Sequence, residues 1–274
     1  MSPTTTSPTE QAVRSAPRSV PAGLRLALPT VVVAAAVIAL WQVYVTVADV
    51  RPQVLPSPVR VVTQGWAHRV DLAAHTSSTL QVTLIGFAVS LTAAWALAVA
   101  LDFSPWLRRA LVPLFVVSQT LPIIAIAPLM IIWFGFGLLP KILVIALATF
   151  FPMAIGLIEG FAAADREAGQ LLRSMGASRV QVFRYVRLPS ALPRFFTALR
   201  IGITYAVVGA VFAEYVGATS GLGIYMAMQK NSFRTDLVLA AVFVTATVSL
   251  MLYLLTYAVE RVVAPWASTP KEHR

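Results

Sequence analysis

Charged side chains are missing from this chain over long intervals. No Asp, Glu, Lys or Arg occurs between Arg25 and Asp49, between Asp71 and Asp102, between Arg109 and Lys141, between Lys141 and Glu159, or between Asp236 and Glu260. The uncharged run from Arg200 to Glu214 is shorter, but its apolar stretch begins earlier, near Phe195. A hydrocarbon layer about 30 Å thick takes about 20 apolar residues of helix. The intervals therefore predict an all-α integral membrane protein with about six transmembrane helices, over 28–48, 78–101, 110–134, 141–160, 195–216 and 237–260. Composition agrees, with 58% of the 274 residues hydrophobic and only 12% charged. A soluble domain carries about 25% charged residues, and a globule of this length has no interior large enough for so much apolar side chain. Soluble enzymes, collagens and disordered chains are thereby excluded. The absence of cysteine excludes disulfide frameworks, thiolate metal sites and thiol nucleophiles.

The net charge of +10 would suggest nucleic acid in a soluble protein. In a membrane protein it reports orientation. With the N-terminus in the cytoplasm, fifteen of the 21 Lys and Arg fall inside and six, namely Arg51, Arg60, Arg69, Lys141, Lys230 and Arg234, fall outside. That bias obeys the positive-inside rule and puts both termini in the cytoplasm. Residues 1–22 are rich in Ser, Thr and Pro and read as a disordered tail. Residues 23–265 form the membrane domain and 266–274 a second tail.

The loops carry local signals. In the outer loop, Leu55-Pro56-Ser57-Pro58 marks a helix start, with Ser57 as N-cap and Pro58 in the first turn. Val61, Val62, Trp66 and Val70 are expected to lay that helix on the membrane surface. Thr76-Ser77-Ser78-Thr79 reads as the start of the second span, and Phe134 to Pro140 as a turn. The long inner loop, 161–193, reads as helix–turn–helix. Asp165 and Glu167 suit a helix N-terminus, Leu171, Leu172 and Met175 are apolar at helical spacing, and Gly176 suits a positive-φ helix end. Ser178-Arg179-Val180-Gln181 has the capping-box pattern. Leu188-Pro189 and Leu192-Pro193 are expected to end the second helix and lead back into the membrane. The loop also holds Arg166, Arg173, Arg179, Arg184 and Arg187. It reads either as a solvated basic connector or as a docking element, since apolar faces on capped loop helices need a cover.

The spacing from Gly176 to Val186 and Leu188-Pro189 resembles the cytoplasmic signature of ABC importer permeases. The Glu-Ala-Ala that opens the signature in that family is replaced here by Gln170, Leu171 and Leu172. Gln119-Thr120-Leu121-Pro122, Ala127-Pro128-Leu129, Trp133-Phe134-Gly135, Gly176-Ala177-Ser178-Arg179 and Gly221-Leu222-Gly223 are similar to the nitrate/sulfonate/taurine branch. Gly137 to Lys141 and Ser232 to Asp236 look most like members assigned to pyrimidine precursors of thiamine. The resemblance covers about residues 55–260. It implies the type I importer permease fold in a bacterial inner or plasma membrane and a pathway for a small organic solute. It implies an attachment segment for the ATPase at Gln170, Leu171, Leu172, Gly176, Ala177, Ser178, Val186, Leu188 and Pro189. It also implies two cytoplasmic ATPase subunits that carry ATP–Mg, a second and identical permease copy, and an external substrate-binding protein, with surrounding lipid and no nucleic acid as partner.

The residues agree with a subunit that is no enzyme. No Gly-x-x-x-x-Gly-Lys-[Ser/Thr] motif is present to cradle phosphates, and the three histidines make no metal motif. Ionisable residues at membrane depth are costly and usually functional, so Glu214, with Tyr215 beside it, is a candidate for the outer gate or pathway; the alternative is a solvated residue at the interface. Gln119 and Thr120, just before Pro122, are candidates for the pathway or for interhelical hydrogen bonds. Arg200 is expected to extend toward the cytoplasm. A nitrate-, sulfonate- or taurine-type permease is the alternative within the family. A proton-coupled secondary transporter using Glu214 is the alternative of another class, and no inverted repeat supports it.

Overall fold

The computed structural model describes residues 22–118, 120 and 122–268. Of the sequence-expected tails, residues 1–21 and 269–274 lie outside them. The described residues fold into helices and connecting turns, with no strand among them. The chain divides into two units, Met1–Asp49 and Val50–Arg274. Among its described residues the first contains one helix, α1 (Ala22–Val47). Its stretch from Pro29 is long and apolar enough to cross a membrane.

The second unit contains α2 (Pro58–Ala67), α3 (Arg69–Phe103), α4 (Pro105–Ser118), α5 (Ile123–Phe134), α6 (Leu138–Ala162), α7 (Arg166–Ser174), α8 (Arg179–Val182), α9 (Leu188–Gly217), α10 (Leu222–Asn231) and α11 (Thr235–Val263). Together with α1, the helices α3, α6, α9 and α11 make five among the described residues that are long and apolar enough to span a bilayer. The stretch 110–134, expected as one span, is instead two helices, α4 and α5. Pro122 is extended there, at φ −71° and ψ 115°. A proline disfavours helical geometry in the preceding residue and cannot donate to the ladder, and Pro113 and Pro128 weaken the same stretch further.

Two other expectations change. Thr76–Thr79 is not a helix start, because α3 begins at Arg69 and runs through it. The Leu-Pro pairs do not end the loop helix. A π-helical turn, Phe183–Arg187, joins α8 to α9 without a break, with Pro189 in the first turn of α9. Pro189 has no N–H to give to this continuous helix, and the wider π-helical turn falls just before it.

The core is the antiparallel pair α6 and α9, with α3 against α6. Small residues set how closely they approach. A Cβ added at Gly156 would come within 2.3 Å of the Ala198 methyl, and one at Gly160 within 3.0 Å of the Ala191 backbone. Gly156 and Gly160 are a Gly-x-x-x-Gly pair, which allows close helix contact where lipid supplies no hydrophobic drive. Met153, Ala154 and Leu157 on α6 and Ala206 and Ala210 on α9 are fully buried.

On α2, Ser57 accepts from the Arg60 N–H and Pro58 occupies the first turn, as expected. The expected apolar face is split. Val61 is buried, whereas Val62, Trp66 and Val70 are exposed. Adjacent residues on a helix lie about 100° apart, so Val61 and Val62 cannot share one narrow face. Gly65 lets α2 approach Ala240 of α11. Asp236, almost fully buried, accepts from Arg60 at 3.1 Å and Arg234 at 3.2 Å, while Arg234 also reaches Gln64 at 2.9 Å. This ion-pair network ties α2 to the first turn of α11.

Candidate functional site

The loop between α6 and α9 is built by local capping. Asp165 accepts from the Glu167 N–H at 2.8 Å and starts α7. Gly176, at φ +88°, reverses the chain after α7. The Ala177 N–H then returns to the Leu172 carbonyl at 2.9 Å, the six-to-one bond of a Schellman end. The capping box is complete: the Gln181 N–H donates to Ser178 Oγ and the Ser178 N–H to Gln181 Oε1 at 2.7 Å. Val182 is buried against Gly169, which joins α7 to α8.

Of the residues singled out in this loop, Gln170, Leu171, Gly176 and Ser178 are exposed. Leu172, Ala177, Val186, Leu188 and Pro189 are half-buried. Leu171, Met175, Val180 and Tyr185 are exposed apolar side chains. The base of the loop is held by contacts with α3 and α6 whose partners the sequence did not name. Arg187, on the π-helical turn, pairs with the buried Asp102 at the end of α3. Phe183 stacks between Phe103 and Phe161, with centroids 5.4 and 5.2 Å away. Arg200 is not free to extend alone: it pairs with Glu260 and lies over the Tyr257 ring.

At the opposite end of α9, Glu214 has no solvent exposure. Its Oε2 accepts from Thr79 Oγ1 at 2.8 Å and from the Gly223 N–H at 3.0 Å. Thr79 Oγ1 accepts from the Leu222 N–H at 2.8 Å, and His75 Nδ1 from the Gly221 N–H at 3.1 Å. Three successive N–H groups at the start of α10 are thus taken by side chains of α3 and α9, where a helix has no backbone acceptor to offer. The packing excludes a side chain at Gly221, where a Cβ would lie 2.1 Å from Glu214 Cδ. Glu214 is therefore not solvated at the interface, and it does not face the large cavity described next. Tyr215 is partly exposed and its hydroxyl accepts from Lys230 at 3.2 Å. Thr120 stands in the exposed turn between α4 and α5 and donates to the Val117 carbonyl at 2.7 Å. Gln119 lies outside the described residues.

A large opening, about 1040 Å³, runs between α5, α6 and α9. Trp133, Phe151, Tyr205 and Met130 make its walls, and Ser118 and Thr197 add hydroxyls. Glu159 and Arg194 are its two charged lining residues, and Arg194 donates to the Glu159 carbonyl at 3.3 Å. Among the described residues, no cluster of three or more His, Asp or Glu could hold a metal ion.

Residues 86–268 match the family described as binding-protein-dependent transport system inner membrane component. The chain is 33% identical to the formylaminopyrimidine transport permease protein ThiX of Halalkalibacterium halodurans, over 79% of this chain and 87% of that one. It is 36% identical to the riboflavin transport system permease protein RibX of Chloroflexus aurantiacus, over 84% and 86%. The taurine transport system permease protein TauC of Escherichia coli is 32% identical, over 85% and 87%. The fold is also that of the MetNI methionine ABC transporter in an inward-facing form, with a TM-score of 0.55 at 19% identity over 74% of this chain and 97% of that one. The chain therefore belongs to the binding-protein-dependent inner-membrane components, the permease subunits of ABC importers.

Proposed function

We propose that this permease carries a thiamine pyrimidine precursor, or a closely related compound, delivered by an external binding protein. The similarity to ThiX, supported by that to RibX, carries the reading, because both relatives are named for solutes that contain a pyrimidine ring. The working unit is two identical permeases and two ATPase subunits. The ATPases hold ATP–Mg and grip the loop of α7 and α8, whose exposed Leu171, Met175, Val180 and Tyr185 supply an apolar contact. Both termini are cytoplasmic, and α4 with α5 makes one interrupted crossing. A taurine- or sulfonate-type substrate is the second reading, favoured by the likeness to TauC.

The test is ATP-driven uptake into proteoliposomes that contain permease, ATPase and binding protein. A labelled aminopyrimidine should accumulate and taurine should not; the reverse result selects the second reading. Uptake driven by a proton gradient without an ATPase would remove the proposal altogether. Reporter fusions after Ala164 should signal cytoplasm and after Arg69 the outside, and a cytoplasmic signal at Arg69 overturns the orientation.

A further inference from the structure

We infer that the cavity between α5, α6 and α9 is a stacking site for an uncharged, planar nitrogen heterocycle, with Tyr205 and Phe151 as its middle walls and Trp133 at one mouth. The inference rests on the importer reading above and adds to it the residues and the solute chemistry inside the membrane.

Depth follows from the helix register. The Leu138 end of α6 and the Gly217 end of α9 are neighbours, since Pro140, Lys141, Val144 and Gly217 border one gap. At about 1.5 Å per residue, Phe151 lies about 20 Å along α6 from that end and Tyr205 about 18 Å along α9, so the two aromatics stand at one level. Glu159 lies about 32 Å along α6 by the same rise. The cavity therefore extends over roughly the thickness of a bilayer. Its aromatic groups occupy the near and middle levels, and its charged groups the far end.

The wall chemistry separates two kinds of solute. An anion such as a sulfonate requires a cation or a set of aimed donors where it leaves water. Among the described residues the single cationic one in the lining is Arg194. It stands at the far end, beside Glu159, and already donates to a carbonyl. The middle offers rings and hydroxyls instead. Aromatic faces attract a flat heterocycle by stacking and reject nothing neutral of that shape. Phe151 is held for this: Phe150 meets it edge-on at 5.2 Å and Phe115 supports it at 6.0 Å. Tyr205 and Trp133 are well exposed toward the opening. Lipid chains could also wet an apolar groove, but a charged Glu–Arg end is costly against hydrocarbon.

The test uses the purified permease–ATPase complex in nanodiscs, without binding protein. Equilibrium dialysis measures retention of labelled 4-amino-5-hydroxymethyl-2-methylpyrimidine and of taurine. The pyrimidine should bind saturably and taurine should not. Tyr205→Leu and Phe151→Leu should each weaken binding by roughly 3- to 10-fold, the range of one aromatic contact, and Tyr205→Phe should bind as wild type. Tyr205 is exposed, so its variants fold even if those of Phe151 do not. Saturable taurine binding, no pyrimidine binding by the wild-type complex, or Tyr205→Leu binding as wild type overturns the inference. A complex that still performs ATP-driven uptake under any of those results leaves the importer reading standing. A permease that purifies with no ATPase and drives no uptake removes that reading instead.

Discussion

Glu214→Leu and Glu214→Gln should part company, and the geometry states by how much. In the native protein, Glu214 Oε2 accepts from Thr79 Oγ1 and from the Gly223 N–H, all of them buried. Leucine is close in size but accepts nothing. The threonine hydroxyl has a second acceptor in the His75 carbonyl, 3.2 Å away, so it need not be stranded. The Gly223 N–H has no acceptor besides Glu214 among the described residues. One stranded buried donor costs about 1–3 kcal/mol. For a unit of this size, each kcal/mol lowers the melting temperature by about 2–4 °C, so the Leu variant should melt roughly 2–12 °C early. Glutamine keeps a carbonyl oxygen that can take both bonds, and its amide replaces an oxygen, Oε1, that has no partner among the described residues; its shift should stay within about 1 kcal/mol. The assay is thermal unfolding of detergent-solubilised permease, with proteolysis of the Gly217–Gly223 turn as a local readout. If Leu melts with wild type, or Gln falls as far as Leu, the hydrogen-bonded pin is not what holds α10. Transport sorts the remaining roles: loss in Gln with normal melting would show that the charge itself works at the outer gate.

Gly176→Val should cost about 1–2 kcal/mol through its positive φ alone, because a Cβ there meets open space. ATPase co-purification should fall while membrane insertion persists, and unchanged uptake would sink the docking assignment. Asp102→Asn should cost on the order of 1 kcal/mol, since Arg187 keeps partial access to water, and should lower transport per ATP hydrolysed; the exchange Asp102→Arg with Arg187→Asp should restore part of it, and no rescue would mean that the pair does not tie the loop to α3. Gly160→Leu should prevent stable folding, because its side chain would have to displace the backbone of α9 at Ala191; a wild-type yield of monodisperse protein would contradict the close α6–α9 contact.

Several helix caps were legible because they are local, whereas the start of α3 at Arg69 and the run from α8 into α9 were not. Ser57 with Pro58, Asp165, Gly176 and the Ser178–Gln181 box each act within a turn or two, and all appear where their residue types place them. Gly156 and Gly160 were legible in principle as a Gly-x-x-x-Gly pair, although nothing in the pattern named Ala191 and Ala198 as the residues they meet. The interruption at Pro122 was half legible: the proline was visible, but whether a helix kinks or stops at it depends on what satisfies the freed backbone. The partners of Glu214, Arg187 and Asp236 were not legible. Thr79 lies 135 residues from Glu214, Asp102 lies 85 from Arg187, and Arg60 lies 176 from Asp236. The aromatic walls were hidden for a further reason. In a soluble helix the apolar stripe marks the inward face, but a membrane helix is apolar on every side, so Trp133, Phe151 and Tyr205 look no different from lipid-facing neighbours until α5, α6 and α9 are assembled. The chain alone determined which long apolar stretches must leave water and which local caps start or end a helix; the packing of small residues and buried polar pairs, which act across the sequence, decided which face of each helix turned inward.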